Sequence, residues 1–341
     1  MKPSRSFLIA FLATMALTAC GMGGPPKAPN PFAEDRIVFD EDDLSVTVLG
    51  SGMPLPSPSQ SGAAILVQAG KHKMMFDCGR GCTTRLAQVN PELITQVDKL
   101  FVTHMHSDHL TGIPDLWLNG WTQGRNIPMQ IWGPEGTTEM MEALRTAFAR
   151  DINFRVSDGV PANDDGLGPT FTDLPKEDGV VFEEGEVKVT AFLVDHSSIK
   201  PAYGYRIDYG EHSVLISGDT TVTPALAKYG QGTDVILLEV MPPLALKMMG
   251  KRFGKEQSET VTAYHLTAQQ AAAVFKETQP ELGVYYHYMN IPPMAKSVRE
   301  ESEQIYDGEM LLSKDLSQIV ISAEGVTHNG GVGESDRKGE K

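Results

Sequence analysis

Thr103-His104-Met105-His106-Ser107-Asp108-His109 decides the reading of this chain: three imidazoles and a carboxylate crowd together directly after the apolar run Leu100-Phe101-Val102. Core packing does not explain them, because each brings a polar atom that needs a partner once buried. Metal binding does. Neutral imidazole and carboxylate oxygen are the ligands Zn²⁺ takes where no thiolate is offered, and a rigid strand end entering a tight loop can aim them at one point. Alternate residues of an extended stretch share a side, so His104 and His106 face together. The turn beyond lets Asp108 and His109 serve a second site nearby. The competing reading is a solvated polar loop.

Three later residues stand in the same kind of place, where an apolar run breaks into a loop. His196 follows Ala191-Phe192-Leu193-Val194-Asp195, Asp219 follows Val214-Leu215-Ile216-Ser217-Gly218, and His287 follows Gly283-Val284-Tyr285-Tyr286. Strand ends hold ligands rigidly and leave them open to solvent. A lone histidine there is ordinarily a hydrogen-bonded structural residue, and Asp219 alone would cap a helix over Thr220–Lys228. The combination with the first motif points to metal.

With 341 residues and 41% hydrophobic content the chain can fill a complete core. Strands are expected at Leu44–Leu49, Ala63–Gln68, Lys73–Phe76, Val187–Val194, Tyr203–Tyr209, Ser213–Ser217, Asp234–Leu238, Gly283–Tyr286 and, last, Gln318–Ser322. Helices are expected over Thr83–Val89, Ile113–Trp121, Glu135–Arg150, Ala268–Lys276 and Val298–Tyr306. Residues 151–185, rich in Asp, Gly and Pro, read as an excursion over the surface. The pattern recurs in each half, which implies an α/β fold: two packed sheets flanked by helices in a four-layer αββα sandwich. One folded domain spans 37–326, and 327–341 is read as a disordered tail.

The N-terminus is set apart from that domain. Lys2 and Arg5 precede an apolar run, Phe7–Leu17, too short to span a bilayer comfortably. Leu17-Thr18-Ala19-Cys20 resembles the bacterial lipoprotein processing box, so 1–19 is expected to be a signal peptide, Cys20 a lipid anchor and 20–36 a flexible linker. An ordinary cleaved secretory signal is the alternative. No Asp follows Cys20, which by resemblance to Gram-negative lipoproteins implies the outer membrane, facing the periplasm. Losing Lys2 and Arg5 leaves 27 basic against 44 acidic residues, a balance of −17 where the full chain has −15. Such a charge disfavours a polyanionic partner, so the expected partners are a small-molecule ester, no nucleic acid, and a membrane through the lipid alone. Cys78 and Cys82 are expected to be two buried free thiols, although export would permit a disulfide.

The motif set resembles the metallo-β-lactamase superfamily over about residues 44–325. Gly50-Ser51-Gly52-Met53-Pro54, Phe76-Asp77-Cys78-Gly79-Arg80-Gly81, Ser217-Gly218-Asp219-Thr220 and His265-Leu266-Thr267-Ala268 are similar to the ribonuclease Z-like enzymes. Phe101–Trp121 looks more like the arylsulfatase members. The resemblance implies two Zn²⁺ per chain, with iron or manganese as alternatives: one on His104, His106 and His196, one on Asp108, His109 and His287, with Asp219 bridging. It implies that Asp108 also orients a hydroxide nucleophile and that His265 protonates the leaving oxygen or stabilises charge, with a helix-entry histidine bonded to backbone as the alternative. Carboxylates hold ligand histidines around zinc, and Asp77 is read in that role, with a strand-end turn residue as the alternative. The β-lactamases of the superfamily lack the bridging carboxylate, which lowers that reading. Ribonuclease Z enzymes carry a protruding basic arm for tRNA, and none is read here. The expected function is therefore dinuclear zinc hydrolysis of a small anionic ester, an aryl sulfate or a phosphodiester. A lactone, carboxylic ester or β-lactam is the enzymatic alternative, and a metal-dependent binding lipoprotein the non-enzymatic one. Met241–Met249 could line a pocket for an apolar leaving group, or be an amphipathic turn or core patch. His72, His212 and His328 are expected at the surface.

Overall fold

The computed structural model describes residue 37 and residues 39–159 and 165–330. The expected signal peptide, the anchor Cys20, the linker to 36 and the tail beyond 330 lie outside the described residues.

The first sheet is opened by β1 (Leu44–Gly50), β2 (Ala64–Ala69), β3 (His72–Phe76), β4 (Lys99–Phe101), β5 (Gln130–Gly133) and β6 (Thr170–Asp173). The second contains β7 (Gly179–Glu184), β8 (Val187–His196), β9 (Ile199–Tyr209), β10 (His212–Ile216), β11 (Val235–Glu239), β12 (Leu282–Tyr286) and β13 (Met310–Leu312). β14 (Ser317–Ser322) and β15 (Gly325–His328) then return to the first, giving the orders β15-β14-β1-β2-β3-β4-β5-β6 and β13-β12-β11-β10-β9-β8-β7. The helices are α1 (Cys82–Val89), α2 (Leu93–Gln96), α3 (Ser107–Leu110), α4 (Ile113–Thr122), α5 (Thr137–Ser157), α6 (Pro224–Gly230), α7 (Pro243–Phe253), α8 (Lys255–Thr262), α9 (Ala268–Thr278) and α10 (Pro292–Ser302).

Burial explains why these layers form. β2 reads Ala-Ile-Leu-Val-Gln-Ala and is buried along its length, as a strand covered on both faces must be. Ile65 and Val67 face the space between the sheets with Phe76, Tyr205 and Leu237, while Ala64 and Leu66 face the outer helices with Leu100 and Trp117. On the far side Leu215, Ile236 and Leu238 meet Leu226, Ala271 and Phe275. The result is the four-layer αββα sandwich.

Strand direction then places the site. β3 to β6 are parallel neighbours, and so are β10 to β13. Each set gathers its carboxyl ends at one edge, the location open α/β sheets use for ligands. β9 ties the two edges together: Tyr203 donates its N–H to the Thr103 carbonyl at 2.9 Å and Tyr205 its hydroxyl to the Val102 carbonyl at 2.6 Å.

Several expectations need correction. Residues 151–185 hold the last turns of α5 and the strands β6 and β7, which end the two sheets and pair on one side only. Edge strands need no two-faced apolar pattern, so their sequences read as loop. Gln318–Ser322 is not the last strand. β15 pairs with it, Val326 opposite Ile321 and Thr327 opposite Val320, so 327 and 328 belong to the domain rather than to a tail. His72 is buried, its ring edge-on to Phe182. Met241–Met249 is mostly α7, begun by Pro243 in the first turn, where a missing N–H costs nothing. Cys78 and Cys82 are joined as a disulfide rather than standing as free thiols: the turn between β3 and α1 brings their Cα atoms to 5.5 Å.

Phe101 stacks between Phe76 and Trp132, with ring centroids 5.1 and 4.7 Å away. Phe101→Ala should cost about 3–5 kcal/mol of unfolding free energy in denaturant titration. Val180→Ala, at a position 53% exposed, should stay within about 0.5 kcal/mol. Equal effects would contradict the assignment of the core.

Candidate metal centre

The centre is built on Asp77, the first residue after β3. Its Oδ1 accepts the Thr103 N–H at 2.8 Å, and its Oδ2 accepts the Thr103 hydroxyl at 2.8 Å and the His109 Nδ1 at 2.7 Å. Both ends of the histidine motif are thereby tied to one carboxylate. Asp77 and His287 take left-handed backbone conformations, as does Ser197 beside His196. Non-glycine residues avoid that region unless the surroundings hold them there, and such strain gathers at functional sites.

Four of the five ligand rings, those of His104, His109, His196 and His287, are held by one nitrogen and present the other. Because the Thr103 hydroxyl donates to Asp77, its lone pair accepts from His104 Nδ1 at 2.9 Å, leaving His104 Nε2 free to bind. His196 Nδ1 donates to the Tyr264 carbonyl at 2.9 Å and His287 Nδ1 to the Gly52 carbonyl at 2.8 Å. This is the arrangement that fixes the tautomer of a metal-ligating imidazole. Gly218, immediately before Asp219, has φ 62°, and a Cβ there would meet the Tyr203 carbonyl at 2.7 Å, so the close approach of the two sheets requires glycine.

The presented atoms converge in two groups, His104, His106, His196 and Asp219 in one and Asp108, His109 and His287 in the other. His106 Nδ1 lies 3.0 Å from His104 Nε2 and 3.2 Å from His196 Nε2. With both partners' protons committed elsewhere, hydrogen bonding can satisfy one of those contacts at most. Asp108 Oδ2 lies 3.6 Å from His109 Nε2 and 3.5 Å from His287 Nε2. Asp219 also reaches the second group: Oδ2 is 3.9 Å from His104 Nε2 and 3.2 Å from His287 Nε2, and Oδ1 is 3.6 Å from His109 Nε2. Ligands around tetrahedral Zn²⁺, with bonds of about 2.0–2.1 Å, stand about 3.3 Å apart. The observed spacings match.

Unmet bonding demand says the same. Among the described residues Asp108 Oδ2, His109 Nε2 and Asp219 Oδ1 are buried without a hydrogen-bond partner. An orphaned buried polar atom costs free energy, and a charged one costs more. Burial, with His109, His196 and His106 close by, holds His104 well below the ordinary imidazole range, in the neutral form a metal needs. Burial would also lower His109 and His287, but Asp219 and Asp77 together raise His109 well above the ordinary imidazole range, and Asp219 raises His287. Burial would raise Asp219, yet His287 and His109 hold it well below the usual carboxylate range. A buried carboxylate that attracts protons this strongly onto neighbouring rings attracts a cation to the same place. The residues fit two divalent ions.

His265 adjoins this centre, with Nδ1 3.0 Å from Glu239 Oε1 and 4.0 Å from Asp219 Oδ2. Burial would lower its imidazole, but the Glu239 carboxylate lifts it to about 9. Glu239, the last residue of β11, also accepts the N–H groups of Thr220 and Leu266. It therefore joins the Asp219 loop to the His265 loop. Sequence reasoning missed Glu239; the only signal was a lone carboxylate closing the apolar run Val235-Ile236-Leu237-Leu238. Asp219 caps no helix, because α6 begins at Pro224 after Thr223.

The Beta-lactamase superfamily domain model matches residues 72–288, most of the chain. The chain belongs to this metallo-β-lactamase superfamily. Within it, the protein is a ribonuclease Z-like, metal-dependent hydrolase. It is similar to Ribonuclease Z of Mycobacterium marinum, 27% identical over 82% of this chain and 99% of that protein, and to Ribonuclease Z of Mycobacterium avium, 28% identical over 82% and 99%. Among solved structures it resembles human tRNase Z, short form, with TM-score 0.56, 24% identity and 82% and 98% of the two chains covered. A metallo-beta-lactamase fold protein from Bacillus subtilis superposes with TM-score 0.59 at 17% identity, covering 81% and 98%. The ribonuclease Z and tRNase Z relatives, named for RNA cleavage, overturn the expectation that nucleic acid is excluded as a partner. The physical reason is that net charge sums the whole chain and leaves the potential at any one face undetermined.

The protein should bind two divalent ions per chain, and Asp219→Ala should retain at most one. Asp77→Ala, which strips His109 of its acceptor, should weaken metal affinity about 10–100-fold in competitive chelator titration. Unchanged affinity in both variants would contradict this centre.

Proposed function

We propose that the protein is a dinuclear zinc phosphodiesterase, with RNA phosphodiesters among the bonds it can be asked to cleave. The observation that carries the reading is Asp219, shared between two three-residue ligand groups with the Glu239-held His265 at one side. The names of the ribonuclease Z relatives support it, and a donor set of imidazole and carboxylate without thiolate supports zinc as the metal. Bound there, a divalent pair supplies a water that is nucleophilic at neutral pH and a clamp for the ester oxygens.

The protein's own groups do the rest. Asp108, with one oxygen unpartnered in the site, orients the attacking water. His265, whose imidazole the Glu239 carboxylate raises, delivers a proton to the leaving oxygen. Glu239 keeps His265 Nδ1 engaged, which leaves Nε2 as the donor atom.

Zinc-loaded protein should hydrolyse bis(para-nitrophenyl) phosphate with higher kcat/KM than para-nitrophenyl sulfate, a lactone or a cephalosporin. His265→Ala should lower kcat by about 100-fold on a phosphodiester with a poor leaving group and far less on the nitrophenyl ester. Adding Glu239→Gln to His265→Ala should change little, since the two act as a unit. Faster sulfate or cephalosporin turnover would defeat the phosphodiesterase reading.

We further propose that the chain is an outer-membrane lipoprotein anchored at Cys20, on the support of Leu17-Thr18-Ala19-Cys20. Cys20→Ser should leave it unprocessed or outside the membrane fraction. Wild-type fractionation of that variant would contradict the anchor.

A further inference from the structure

Six of the chain's 16 methionines surround one cleft. Met53, Met241, Met248, Met249, Met289 and Met294 line a volume of about 530 Å³ whose wall is almost wholly apolar. The cleft and the metal centre draw on the same backbone segments. Met53 follows Gly52, whose carbonyl holds His287 at 2.8 Å, and Met289 lies two residues beyond His287. Met241 lies two residues beyond Glu239, and its N–H donates at 2.8 Å to the carbonyl of Leu266, the neighbour of His265. The segments that carry the site residues are the walls of the cleft.

Its mouth is open. Leu55 is 59% and Met248 55% exposed, and both face the cleft, so apolar surface waits there for something to cover it. Lys251 and Arg252, on the last turn of α7, also line it. Unbranched, polarizable methionine side chains adapt to apolar groups of varied shape, and cations at the rim suit a molecule that is also anionic.

We infer that this cleft binds an apolar group of the substrate, so that the ester processed at the centre is amphiphilic: a phosphodiester bearing an alkyl chain or aryl ring beside the phosphorus. The inference rests on the phosphodiesterase reading for the headgroup alone.

The test uses para-nitrophenyl phosphodiesters whose second ester group is methyl, hexyl or phenyl, with zinc-loaded full-length protein. The leaving group is constant, so differences report the cleft. Binding of methyl- and hexylphosphonate is measured in parallel by calorimetry and needs no turnover. The hexyl and phenyl esters should exceed the methyl ester in kcat/KM by about tenfold or more, from partial burial of the added carbons. Met248→Asp, and separately Met53→Ser, should bring that ratio to within about twofold of one. Val180→Asp, an exposed position on β7 outside the cleft, should keep the wild-type ratio. Equal hexyl and methyl values in both turnover and binding overturn the inference, as does a preference that survives both methionine variants. If no phosphodiester is hydrolysed, the functional reading fails, and the phosphonate binding ratio still decides the cleft.

Discussion

A single carboxylate sets the geometry of this site. Asp77 receives both the backbone and hydroxyl of Thr103 and the Nδ1 of His109, so the loop between them has little freedom. Tyr203 and Tyr205 fix the same loop from the other sheet. The ligands therefore meet because two sheets are clamped together at the carboxyl ends of their parallel strands. Rings oriented by fixed acceptors lose little freedom on binding a cation, which is what preorganisation of a site consists of.

The histidine motif was legible because its chemistry is local: residues two apart on an extended segment share a side whatever the tertiary fold. The same holds for His196, Asp219 and His287, each announced by an apolar run that stops. Glu239 was not legible. Its significance arises from His265 and Thr220, distant in sequence and brought within hydrogen-bond reach of it only by the fold. β6, β7 and β15 were hidden for the opposite reason, because edge strands carry no two-sided apolar pattern to read. His72 looked like a surface residue until Phe182, on one of those unread strands, covered it. The Cys78–Cys82 bridge depends on the turn after Asp77, whose shape no spacing rule specifies.

Composition proved the weaker guide to partners. A formal charge of −15 governs long-range attraction and solubility, but a site acts through the few groups that face it. Here those groups are two carboxylates amid histidines, a His–Glu pair, and a methionine-lined cleft edged by Lys251 and Arg252. Fold likeness alone would not identify the chemistry, since one fold hosts many activities. The arrangement around Asp219 narrows it.

The central claim is that Asp219 joins two metal sites into one centre. Anomalous diffraction from zinc-loaded crystals tests it most directly. Two peaks about 3.5–4 Å apart are expected, as in dinuclear hydrolases, with one Asp219 oxygen or both between them. A single peak, or two peaks with Asp219 bound to neither, would contradict it.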